Sequence, residues 1–174
     1  EMGARHCDVF AIFGEPLAET RERIQDFRRR AAVFDRRVGF NMSLRPIIAD
    51  TEGAAWDKAN KLLADVERKT GGAPQPTNTS AERLLQYAAR GDVHDERLWM
   101  GIARATGAPG NTSCLVGTPE QVSAAVLEYY RLGIDSFLLR GFENPHDTVA
   151  IGRELIPRIK AGALDIDRLA EAAE

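Results

Sequence analysis

What most constrains this chain is a repeated order: a short apolar run, a turn, then a longer stretch with apolar residues at helical spacing. The first run is Val9–Phe13, which turns at Gly14-Glu15-Pro16. Pro16 suits the first turn of a helix. Leu17, Ile24, Phe27, Ala31 and Phe34 then recur at helical spacing, with Arg and Glu between them. The second run, residues 40–48, alternates. Met42 and Leu44 fall on one side, Ser43 and Arg45 on the other, so one face of this strand carries polar groups. Pro46 lacks a backbone donor, and the ladder should weaken there. Thr51 is placed to cap a helix whose apolar face reads Ala54, Ala55, Trp56, Ala59, Leu62, Leu63 and Val66. The third run, residues 113–117, leads into Thr118-Pro119-Glu120-Gln121. Here Thr118 is the cap, Pro119 takes the first helical position and Gln121 closes a capping box. The fourth run is residues 134–141. Asn144-Pro145 opens a helix after it, lined by Val149, Ile151, Leu155 and Ile159.

Between the second and third units the alternation breaks. Residues 71–78 form a Gly/Pro cluster that reads as a loop. Helical patterns over 81–89 and 96–105 follow, and then a second glycine-containing loop, 106–111. Four strand–helix units, each with room for a right-handed crossover, define an α/β fold with a parallel sheet. No Gly-x-Gly-x-x-Gly follows any strand, which favours part of a (β/α)8 TIM-type barrel over a doubly wound sheet. A whole barrel takes ~250 residues, so 174 residues supply about half of one. The expected layout is a half barrel over residues 1–160, an inserted helical and lid segment at about 71–112, and a polar tail over 161–174.

Several classes are disfavoured. A net charge of -3 argues against a nucleic-acid binder. No apolar run approaches the ~20 residues that span a bilayer. The first residues lack the layout of a signal peptide, so the expected compartment is the cytoplasm. Cys7 and Cys114 are expected to be reduced, mostly buried thiols. His6, His94 and His146 are scattered, so no metal site is expected, and His94 and His146 should face solvent. Arg28-Arg29-Arg30 reads as a solvated helix face.

Four stretches resemble the luciferase-like flavin monooxygenases, and among them the alkanesulfonate monooxygenase subgroup. They are residues 8–16, ending in Phe13-Gly14-Glu15-Pro16; residues 40–56, including Leu44-Arg45-Pro46-Ile47-Ile48-Ala49-Asp50-Thr51-Glu52 and Ala55-Trp56; residues 110–122, Gly110-Asn111-Thr112 through Gly117-Thr118-Pro119-Glu120-Gln121-Val122; and residues 130–142, ending in Arg140-Gly141-Phe142. The resemblance implies the C-terminal half of a barrel that uses reduced FMN from a separate reductase, with O2 and a small organic substrate. It also implies a flavin at the C-terminal strand ends. The family's phosphate-contacting serine would precede Glu1, so the chain alone is expected to lack a complete FMN site.

The resemblance assigns roles to particular positions. Phe13, Arg140 and Phe142 would lie against the flavin. Ser43 and Arg45 would be catalytic, at places where the sulfonate enzymes have arginine and histidine. Phe142 stands where the family has a tyrosine and cannot donate a hydrogen bond. These departures weaken the case for a sulfonate substrate. Arg104 and Asn111 would belong to a mobile lid over the substrate. Two other functions remain open at this point: a non-catalytic half barrel whose open edges pair with a second copy, and a deazaflavin-dependent reductase of the same superfamily.

Overall fold

The computed structural model describes residues 1–71, 75–76, 78–143 and 145–173. The elements in chain order are α1 (Met2–His6), β1 (Val9–Phe13), α2 (Leu17–Ala32), β2 (Gly39–Ile48), α3 (Glu52–Thr70), α4 (Thr79–Arg90), β3 (Val93–His94), β4 (Leu98–Trp99), α5 (Gly101–Thr106), β5 (Cys114–Gly117), α6 (Pro119–Arg131), β6 (Ser136–Leu139) and α7 (His146–Ala150). A π-helical turn (Ile151–Leu155) and α8 (Ile156–Glu171) complete the chain. Most of the Gly/Pro cluster, residues 72–74 and 77, lies outside the described residues, as does Asn144 of the expected helix start.

The fold is α/β, a curled partial barrel wall of parallel strands backed by helices. β2 is its centre. Its first half pairs in parallel with β1, Phe13 against Ser43, and with β6, Ser43 against Leu138 and Leu44 against Leu139. Its second half pairs with β5, Arg45 against Cys114 and Ile48 against Gly117. The neighbour of β6 is therefore β2 and not β5, the preceding strand in the chain. Backbone direction explains how β2 serves so many partners. The odd residues turn towards β1 and then β5: Gly14 N donates to Ser43 O at 3.0 Å and Arg45 N to Ser113 O at 2.9 Å. The even residues turn towards β6: Asp135 N donates to Phe40 O at 2.9 Å and Arg140 N to Leu44 O at 3.1 Å. Pro46 is even, and the β6 pairing has ended before it. Its missing N–H costs no ladder bond, so the strand runs on through it.

The even face is the core. Phe40, Met42 and Leu44 are fully buried against Ile12, Ile24, Val122, Val126, Tyr129, Ile151 and Leu155. Past Arg45 the odd face is covered too, because Ile47, Cys114 and Val116 pack on Ala55, Ala59, Trp99 and Ile102. The odd face of the first half is open, with Val9 and Leu138 each 56% exposed.

The helix signals hold. Thr118 accepts from Gln121 N while Gln121 Oε1 accepts from Thr118 N at 2.9 Å, forming the capping box. Thr51 caps α3 through Ala54 N at 3.2 Å. The pattern over 96–105 does not make one helix. Asp95 and Glu96 adopt positive φ, 48° and 67°, and turn the chain into a hairpin. β4 then pairs antiparallel with β3 and β5, which buries Leu98 and Trp99, and only α5 is helical. His94 is half-buried there, with Nε2 3.0 Å from Tyr87 O, so it does not simply face solvent. Val149 is exposed and does not line the core. α8 runs without a break through residue 160, so the expected tail begins inside a helix. Among the described residues no helix is long and apolar enough to cross a membrane, and no side-chain cluster has metal-ligand character.

Glu15 ties the β1–α2 turn to three helices. Its carboxylate, only 3% exposed, meets Arg23 at 2.6 Å and the Tyr87 hydroxyl at 3.4 Å, while its carbonyl accepts from Tyr129 Oη at 2.8 Å. Burial pushes the carboxyl up to about 7, against the opposing pull of Arg83 and the Tyr87 hydroxyl. The Arg23 contact also favours the ionised form, but loss of water weighs more. A carboxyl whose folded pKa is raised stabilises the fold below its unfolded value, and that contribution is lost as pH rises to about 7. The wild-type chain should therefore lose stability to urea between pH 4.5 and about 7, relative to Glu15→Gln. Parallel stability profiles of the two proteins across that window would contradict this.

Candidate active site

Parallel strands place their C-terminal ends on one rim, and in barrels that rim carries the chemistry. Phe13 ends β1, Ser43 and Arg45 lie midway along β2, and Arg140-Gly141-Phe142 follows β6. Register sets Phe13, Ser43 and Leu138 side by side; Leu138 is exposed, Phe13 is half-buried against the core, and Ser43 is buried beneath Asn111. Lower on the same face, Asn41 Nδ2 donates to Ser136 Oγ at 2.8 Å. Arg45 comes next above Ser43 on the same face of β2, and Arg140, exposed just past the end of β6, stands near enough to act on its charge.

Arg45 is the most constrained of the set. Its Nε donates to Asn111 O at 2.7 Å and its Nη1 to Gly141 O at 2.8 Å. Its guanidinium carbon lies 4.6 Å from the centre of the Phe142 ring, a cation–π contact. Burial and the neighbouring Arg140 guanidinium bring Arg45 below the ordinary arginine value. Its hydrogen-bond partners are carbonyls, so neither bond neutralises the charge. Like charges side by side on a sheet repel. An anion on this rim would relieve that repulsion.

Asn111 closes the group from the loop before β5. Its Nδ2 donates to Ser43 Oγ at 2.7 Å, and its Oδ1 is buried with no hydrogen-bond partner among the described residues. Next to it, Ser113 is fully buried and Oγ donates to Gly14 O at 2.6 Å, fastening this loop to the end of β1. Sequence reasoning missed Ser113. The available signal was a lone hydroxyl at the head of an otherwise apolar strand.

The structure thus brings Phe13, Ser43, Arg45, Asn111, Arg140 and Phe142 to one rim. It does not bring Arg104 there, because that guanidinium is engaged by Asp92 beside the β3–β4 hairpin. Nor does Cys114 offer a thiolate. Cys114 is buried beside Arg45 and pushed up to about 12 by that burial, so it stays protonated.

Residues 1–136 match the family model of the luciferase-like monooxygenases, and the chain belongs to that family. It is 31% identical to a sulfoquinovose monooxygenase of Novosphingobium aromaticivorans, over 95% of this chain and 48% of that protein. The chain therefore spans about half the length of this curated relative. Two solved structures share the fold. A riboflavin lyase, crystallised with modified FMN and riboflavin, superposes with a TM-score of 0.67 at 20% identity, over 91% of this chain and 40% of that one. A coenzyme F420 dependent tetrahydromethanopterin reductase from Methanopyrus kandleri gives a TM-score of 0.56 at 13% identity, over 90% and 47%.

The Ser43–Asn111 bond is testable by itself. Ser43→Ala removes the acceptor of an amide whose other atom already lacks a partner. It should cost about 1–3 kcal/mol in urea unfolding. A cost within ~0.3 kcal/mol would show that the pair does not hold the loop to β2.

Proposed function

We propose that this chain carries the substrate-side half of the active site of a reduced-FMN-dependent monooxygenase. It would oxidise a small organic substrate with O2 in the cytoplasm, using flavin supplied by a separate reductase. The observation that carries this is the convergence of Phe13, Ser43, Arg45, Asn111, Arg140 and Phe142 on one strand-end rim, in a member of the luciferase-like family.

The residues present fit a flavin. Phe13 and Phe142 offer apolar ring surface, Arg140 offers an exposed guanidinium, and Asn111 Oδ1 offers an acceptor without a partner. Phe13, Arg140 and Phe142 would hold the cofactor. When bound, it would supply the activation of O2. The chain's own residues would do the rest. Arg45 and Ser43 would bind and orient the substrate, and the Asn111 loop would help keep water out. The Arg45–Arg140 pair suits a substrate with an anionic oxygen group, a sulfonate or a near relative. The free edges of β1 and β6 support assembly, either with a second copy or with the remaining strands of a barrel.

Turnover tests this. The protein is supplied with reduced FMN, O2 and a set of organosulfonates with their uncharged analogues, and product is measured. Oxygen-dependent turnover of the anionic substrates is expected from an assembly in which a second copy or the remaining strands complete the barrel, with kcat/KM falling roughly 100-fold in Arg45→Ala. Hydride transfer from a reduced deazaflavin without O2 consumption would overturn the proposal in favour of a reductase. No reaction with either cofactor from such an assembly would favour a non-catalytic module.

A further inference from the structure

Asp147 is the charged side chain of this region that no part of the site yet uses. It sits in α7, one residue after the helix begins, and is only 4% exposed. A buried carboxylate is costly unless donors surround it. Here Oδ2 accepts from Phe142 N at 2.7 Å and from Glu143 N at 2.9 Å, while Oδ1 faces Lys58 Nζ at 2.8 Å. Burial pushes the carboxyl up, but the Glu143 N–H, the Lys58 ammonium and the Phe142 N–H outweigh it, so the group stays ionised. The backbone reciprocates, with Asp147 N donating to Glu143 O at 2.8 Å.

An acidic residue near a helix start usually serves only that helix. This one reaches backwards, onto the segment that grips Arg45. Gly141 gives its carbonyl to Arg45, and Phe142 gives its ring. A β-carbon at Gly141 would stand 2.1 Å from Asp147 Cβ, so the segment lies directly on Asp147. Lys58 comes from α3, which is packed on the far half of β2. The contacts form one path: Lys58, Asp147, the Phe142 amide, the Gly141 carbonyl, Arg45, the Asn111 carbonyl.

We infer that Asp147 is a positioning residue for the strand-end site, holding Gly141 and Phe142 in the shape that fixes the Arg45 guanidinium, with Lys58 completing the clasp. The kinetic part of this inference rests on the proposed monooxygenase activity. The geometric part does not.

The test follows the Arg45 Nε–H by 15N NMR, with its resonance assigned by loss in Arg45→Lys. In the wild type this proton is bonded to Asn111 O and should exchange slowly. In a folded Asp147→Asn variant it should exchange at least ~10-fold faster. Lys58→Met should act in the same direction, and it carries the test alone where Asp147→Asn does not fold. A role confined to starting α7 would speed the amides of that helix and leave the Arg45 Nε–H unchanged. That result overturns the inference. In turnover, Asp147→Asn should raise KM and leave kcat nearly as it was, whereas a fall in kcat at constant KM would contradict positioning. Faster Nε–H exchange in a protein with no turnover would keep the clasp and remove the activity.

Discussion

Everything in this molecule hangs on β2 having both edges in use. A strand of ten residues spans two arrangements, flanked by β1 and β6 over its first half and by β5 over its second. Parity does the sorting: odd residues bond to one side and even residues to the other. The same alternation sends Phe40, Met42 and Leu44 into the core and leaves Asn41, Ser43 and Arg45 on the opposite face. One geometric rule thus decides the pairing, the core and the polar rim together.

Arg45 stands at the junction of the two halves. Below it the odd face is open; above it α3 and α5 close over Ile47, Cys114 and Val116. A charged group at such an edge can keep some water while taking fixed partners from several directions. It draws them from the loop before β5 and from the segment after β6. Elements far apart in the chain therefore meet at one guanidinium. That is why the rim reads as a site and not as a row of unrelated strand ends.

Local signals were legible in the sequence and long-range choices were not. The Thr118–Gln121 capping box and the Thr51 cap depend on neighbours three residues away, and both formed as the spacing implies. Alternation along 40–48 gave the polar face correctly, so Ser43 and Arg45 could be named. The order of four units did not say which strands are neighbours: β6 pairs with β2, a choice that the pattern of β6 alone does not reveal. Residues 96–105 misled for a different reason. Helical spacing of Leu98, Ile102 and Ala105 concealed a left-handed turn at Asp95 and Glu96, residues that carry no glycine to advertise it. Arg104 was placed in a lid by the resemblance alone, and its pairing with Asp92 is a contact that sequence spacing does not reveal. Asp147 gave no sign, since its partners Lys58 and Phe142 converge on it only in three dimensions.

The central claim is that β2 is bonded along both edges while β1 and β6 are bonded along one. Native-state hydrogen exchange of backbone amides tests it directly. The account predicts slow exchange at consecutive residues from Asn41 to Arg45, odd and even alike, with alternating fast and slow amides in β1 and β6. Alternating protection within β2, or even protection within β6, would contradict it. The rim built around Arg45 would then lack the frame that assembles it.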